Sequence, residues 1–224
     1  MASTRAGLFE AIEADDLEEV RRLVTEDPSL ANARDDHGVS ALMRALYRMN
    51  LGLVEAVKDR VDELDVFEAA SFGDLDRLTT LLDAEPALVT GYSGDGFTPL
   101  HFAAFFGRPE AAALLLARGA EVDAFGRGWM TGTALHSAVS RMRSDIVGSL
   151  VDAGADPNVR QSAGWTPLHS AAANGDLPSL ELLLDAGADP AATNEEGRSV
   201  LEMAEEKGDA PTIARIRAAL QAAP

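Results

Sequence analysis

The 224-residue chain is expected to fold as an all-α solenoid of about seven stacked helix-turn-helix units. Two observations carry that expectation. A four-residue pattern recurs: Thr98-Pro99-Leu100-His101, Thr133-Ala134-Leu135-His136 and Thr166-Pro167-Leu168-His169 stand 35 and 33 residues apart, and Ser199-Val200-Leu201-Glu202 follows 33 later. Each of the first three is followed by two apolar segments split by a turn. The second segments end alike, in Ala117-Arg118-Gly119-Ala120, Asp152-Ala153-Gly154-Ala155-Asp156 and Asp185-Ala186-Gly187-Ala188-Asp189. Self-similarity at such a period marks stacked supersecondary units.

Each element of a unit has a local cause, read here on residues 166–197. Thr166 can cap a helix, because its hydroxyl accepts from a backbone N–H of the first turn. Pro167 suits the first helical position, where its missing N–H is not needed. Leu168, Ala171 and Ala172 face inward. Gly175 supplies the left-handed residue that stops the helix. Leu180, Leu182, Leu183 and Leu184 fill the second helix, and Gly187 ends it. Asp189-Pro190, Asn194 and Gly197 carry turn chemistry. One such unit cannot bury its own apolar face, so it must stack on neighbours.

The Thr-Pro-Leu-His-x-Ala-Ala pattern at a 33-residue period resembles the ankyrin repeat, strongly over 65–224. The resemblance implies helix-turn-helix units joined by β-turn fingers in a curved, L-shaped stack. Residues 1–64 match more weakly: LVTEDPSLANARDDHG (23–38) aligns without gaps on LLDAEPALVTGYSGDG (81–96), and Leu8-Phe9-Glu10-Ala11 on Val66-Phe67-Glu68-Ala69. The units run 8–39, 40–64, 65–97, 98–132, 133–165, 166–198 and 199–224, all in one domain, with the last as a polar cap. The step from Leu42 to Val66 is only 24 residues, so a break in the finger row is expected near Val61–Asp65. In this alignment Phe9 and Phe67 take the histidine position of the pattern.

Composition narrows the function. The net charge of -18 argues against nucleic acid, which needs a basic stripe, and against an anionic membrane surface. No cysteine is present, so disulfides and thiolate metal sites are excluded, and a reducing, cytoplasmic setting is expected. The first twenty residues turn acidic too early for a secretory signal. The strongly apolar stretch Ala111–Ala117 is too short to span a bilayer.

No catalytic motif, cofactor or metal site is expected. His101, His136 and His169 repeat with the units, which would hold them about 8–10 Å apart, whereas zinc ligands converge within about 2.1 Å of one ion. The expected role is a hydrogen bond to the pattern's own Thr or to a neighbouring finger. His37 reads as a solvated turn residue. Neither Asp35-Asp36-His37-Gly38 nor Asp152–Asp156 has the glycine and distal glutamate of a calcium loop.

The resemblance also implies a binding face, because finger tips and the late positions of each first helix vary in that family. Carried onto this sequence, those positions include Tyr47, Phe72, Phe97, Phe105, Phe106, Trp129, Met130, Arg141 and Trp165. Aromatics are only 5% of the chain, yet both tryptophans fall here. Clusters of Trp, Tyr, Phe and Arg are typical of binding hot spots. Phe102 replaces a scaffold aliphatic and is expected in the core. Residues 125–132 form a finger two residues longer than its neighbours, with three glycines, and Met142 stands where a helix-ending glycine is usual.

The expected function is a non-catalytic protein-interaction module. Its partner would be another protein, with basic or apolar segments, and the chain itself a monomer rather than an obligate oligomer. Around Arg141 and Arg143 the fit is to an apolar anchor with a nearby acid. The alternative is a small-molecule-binding or enzyme-regulatory protein whose aromatics line a closed pocket. An enzyme would need convergent titratable groups, and the sequence offers none.

Overall fold

Seven antiparallel helix pairs follow one another along the chain in the computed structural model, which describes residues 5–128 and 131–222. They are α1 (Arg5–Glu13) with α2 (Leu17–Glu26), α3 (Ala41–Tyr47) with α4 (Leu51–Lys58), α5 (Val66–Phe72) with α6 (Leu75–Ala84), and α7 (Pro99–Phe105) with α8 (Pro109–Ala117). Then come α9 (Ala134–Ser140) with α10 (Ser144–Asp152), α11 (Pro167–Asn174) with α12 (Leu177–Asp185), and α13 (Val200–Lys207) with α14 (Ala210–Ala222). First helices pack on first helices and second on second, giving two layers, except between the second and third units, where the helices stand further apart and side chains such as Ser40 and Glu68 bridge the join. No described helix is long and apolar enough to cross a membrane.

The starts and stops have the causes read from the sequence. Thr98, Thr166 and Ser199 cap α7, α11 and α13 through their hydroxyls, and Ser40 caps α3. Gly175 and Gly208 take left-handed conformations after α11 and α13, with φ of 70° and 77°. The pattern leucines Leu100, Leu135 and Leu168 are buried between the layers. Ala103, Ala104, Ala138, Ala171 and Ala172 are buried beside them and let the first helices approach closely.

Gly148 breaks this economy. It sits inside α10, and a methyl there would meet Leu182 at an ordinary 3.8 Å. Gly148→Ala is therefore expected to stabilise the protein by about 0.5–1 kcal/mol, since glycine weakens a helix interior by that much. A denaturant midpoint that falls would contradict the packing described.

The third unit departs from the alignment by one residue. Asp65 is the cap of α5, and Glu68, not Phe67, stands at the histidine position. The Asp65 carboxylate accepts from the Glu68 N–H at 2.8 Å, and the Glu68 carboxylate accepts from the Asp65 N–H at 2.9 Å.

The connection 61–65 carries no finger, yet the finger row is not gapped. The finger of residues 33–39 lies directly on that of residues 91–97, so closely that a methyl on Gly94 would fall 1.9 Å from the His37 carbonyl oxygen. The next finger joins the row through the Arg127 N–H, which donates to the Gly96 carbonyl at 2.7 Å. Beyond it, the Glu195 N–H donates to the Ala163 carbonyl at 3.0 Å.

Candidate functional site

The three pattern histidines are structural. Nδ1 of His101 lies 2.8 Å from the Thr98 hydroxyl, and that of His169 lies 2.8 Å from the Thr166 hydroxyl. In His136 it accepts from the Thr133 N–H at 3.2 Å. The far nitrogen of each reaches the finger of the next unit: His101 to the Gly132 carbonyl at 3.0 Å, His136 to Trp165 at 3.4 Å and His169 to Arg198 at 3.3 Å. Nε2 therefore carries the proton and Nδ1 accepts. Burial pushes all three below the usual histidine range, His136 to about 4.

Glu68 and Glu202 mark where that relay changes. Glu68 is buried, faces back along the stack and accepts from the Ser40 hydroxyl at 2.5 Å. Burial and the neighbouring Asp65 raise its pKa. Glu202, in the last unit, accepts only from its own cap, with the Ser199 N–H at 2.6 Å and the hydroxyl at 3.0 Å. Among the described residues no group of three or more His, Asp and Glu is placed to hold a metal ion.

Among the described residues, those expected on the binding face do not form one surface. Phe97 is only 4% exposed and belongs to the core, so its assignment to an open face is corrected. It meets Phe102 edge-on at 6.0 Å and lies 5.8 Å from His101. Phe67 meets Phe102 at 5.8 Å and Tyr47 stacks on it at 6.5 Å. These four aromatics come from three units and pack together beside the junction that lacks a finger. Tyr47 is also pinned, since its hydroxyl donates to Asp95 across that junction. Burial and then the Asp95 carboxylate push the phenol well above its usual range.

The Lys58 ammonium sits 4.3 Å from the ring centre of Phe72, which stays part-exposed. Trp165 packs against the core in part, with its ring 6.0 Å from His169. Trp129 and Met130 lie outside the described residues.

Phe105, Phe106 and Arg141 do come together. The two rings meet edge to face at 5.1 Å, and the Arg141 guanidinium sits 5.0 Å from the Phe105 centre. Phe106 rests on the core while Phe105 is carried by Phe106 and Arg141. The patch lies where α7 and α9 end. Arg143 completes it, for its guanidinium overlies Gly107, where a side chain would collide with it.

The arginines around this patch stand apart electrostatically. Of seventeen arginines, eleven form ion pairs with carboxylates. Arg60, Arg108 and Arg160 donate to backbone carbonyls instead. The remaining three, Arg127, Arg141 and Arg143, have neither kind of partner among the described residues. Arg127 instead lies 3.6 Å over the Tyr92 ring, joining two neighbouring fingers. Sequence reading did not single out the Tyr92–Arg127 pair, and the extra length of the 125–132 finger was its one signal.

Two clefts among the described residues carry ion-paired arginines in their walls. One of about 410 Å³ is bounded by Ile12, Glu13, Arg44, Tyr47 and Arg48, and one of about 380 Å³ by Arg198, Glu202, Glu205 and Glu206. Of the expected aromatic residues, Tyr47 alone lines either. The aromatic patch of α7 and α9 is thus a separate feature from these clefts.

Comparison with known proteins agrees with the repeat. A family model described as ankyrin repeats (3 copies) matches residues 66–161 and 135–216. A probable E3 ubiquitin-protein ligase of Oryza sativa subsp. japonica is 41% identical over 98 residues, covering 42% of this chain and 21% of that protein. The ankyrin repeat and SAM domain-containing protein 6 of Mus musculus is 34% identical over 104 residues, covering 46% of this chain and 11% of that protein. A putative palmitoyltransferase of Danio rerio is 30% identical over 106 residues, covering 45% and 15%. The matched segment spans about a fifth or less of each relative, so the similarity lies in the repeats.

Proposed function

The chain belongs to the ankyrin-repeat family, and from that premise we propose that it is a non-catalytic module binding another protein through the patch of Phe105, Phe106 and Arg141. Ankyrin repeats generally mediate protein–protein interaction. The observation that carries the placement is a pair of part-exposed phenylalanine rings, one of them under a guanidinium that has no carboxylate partner among the described residues. Aromatic and arginine side chains dominate the energetics of protein interfaces. A guanidinium over an aromatic face is already oriented, which lowers the entropy lost on binding. The seven units act as one domain, with the first-helix layer presenting the patch.

The test begins with capture of a partner from the native cell. Phe105→Ala and Phe106→Ala are then each expected to weaken that partner by about tenfold or more, the range of an interface hot spot. Circular dichroism must show an unchanged fold. Equal affinity in both folded variants would place the interface elsewhere.

A further inference from the structure

The turn joining α9 to α10 holds a second anomaly. Met142 has a left-handed backbone, φ 55°, and its side chain is 54% exposed. The same turn carries Gly107 in the fourth unit and Gly175 in the sixth, with φ of 66° and 70°. A non-glycine residue in this conformation is destabilising. Met142 recovers little of that by burial, so its side chain has no evident use within the chain. Met49 in the second unit is built alike, with φ 55° and 50% exposure. There, however, the preceding Arg48 is ion-paired with Asp15. In the fifth unit Met142 lies between Arg141 and Arg143, neither of which is ion-paired among the described residues.

We infer that this patch binds an extended acidic peptide segment with an apolar anchor. The anchor rests on Phe105, Phe106 and Met142, and carboxylates on either side of it meet Arg141 and Arg143. The inference rests on the interaction reading above and names the chemistry of the partner. Charge complementarity supports it: in a chain of net charge -18, two unpaired guanidinium groups flank an exposed methionine. Methionine suits the contact because its flexible thioether adapts to apolar surfaces of varied shape. A polyanion such as nucleic acid would meet the repulsion of the whole chain, whereas a short segment with a few carboxylates meets mainly the local arginines. For the same reason a carboxylate is favoured over a doubly charged phosphate.

The test is selection of a random displayed peptide library on the intact protein, with a phosphopeptide array in parallel. Peptides enriched in Asp or Glu around a Leu, Phe or Trp are expected. A labelled consensus peptide should lose about tenfold or more in affinity to Arg141→Glu. It should also weaken with Met142→Gly, whose thermal midpoint stays level or rises because the strained conformation is relieved. Met49→Gly should leave affinity unchanged. Enrichment of basic or uncharged peptides would overturn the acidic partner while leaving the interaction module standing. Preference for phosphorylated peptides would overturn the carboxylate choice. Acidic peptides indifferent to Arg141→Glu and Met142→Gly would overturn the placement. Failure of the folded protein to enrich any peptide would overturn both readings.

Discussion

Lowering the pH from about 7 to 5 is expected to destabilise this protein markedly. The cause is the row of His101, His136 and His169, each buried and neutral. The sign follows from linkage. Burial depresses their folded-state pKa, so the unfolded chain takes up protons first as pH falls. The stability they contribute is complete above the unfolded value of 6.5 and is lost progressively as pH falls through the folded one. For His136, pushed down to about 4, the full loss amounts to about 3 kcal/mol. His101 and His169 add to it with the same sign. Glu68 pulls the other way, since its raised folded pKa makes it bind a proton more readily in the native state. Urea midpoints measured across this range check the balance. His136→Gln keeps a side chain able to accept from the Thr133 N–H and donate toward Trp165, but it does not titrate, so its profile should be flatter. Glu68→Gln should raise the midpoint at neutral pH and steepen the acid loss. A Glu68→Gln midpoint that does not change between about pH 7 and 5, with that opposing group removed, would show that the histidines are not held neutral.

Gly94→Ala is expected to cost about 2–3 kcal/mol, in the range of backbone strain combined with lost packing. The methyl would fall 1.9 Å from the His37 carbonyl oxygen and 2.9 Å from the Gly38 carbonyl carbon. These are backbone atoms of another finger, so no rotamer change can relieve the contact. Either finger 33–39 must move off finger 91–97 or the second of these must refold. Both routes disturb the aromatic cluster beneath, where Tyr47 reaches Asp95 and Phe97 packs on Phe102. Loss of stability should therefore be accompanied by increased accessibility of Tyr47, readable by solvent perturbation of its absorption. An unchanged denaturant midpoint would mean that the two fingers are not in contact in solution. Gly148→Ala, a glycine whose added methyl finds ordinary space, is the paired control with the opposite sign.

The amino-acid sequence by itself determined the repeat and most of its local construction. Hydroxyl caps such as Thr166, glycine stops such as Gly175, and the inward leucines all act through near neighbours in the chain. Their positions therefore survive in a linear reading. The short step from Leu42 to Val66 also announced that a finger was missing. What filled the gap could not be read linearly, because it depends on how three units converge. Asp65 proved to be the cap and Glu68 the residue at the histidine position, since the hydrogen bond to Ser40 reaches back into the preceding unit. Phe97 and Tyr47 share sequence positions that the family leaves variable, yet the closed finger row turns one into core and pins the other. Phe72 likewise meets Lys58, a residue of a different helix layer. The contact of Arg141 with Phe105, and the lack of an ion pair at Arg141 and Arg143 among the described residues, emerge only when adjacent turns are brought side by side. Local hydrogen-bonding and conformational preferences thus set the unit, while exposure and charge neutralisation were decided by stacking, because they belong to surfaces that distant residues create together.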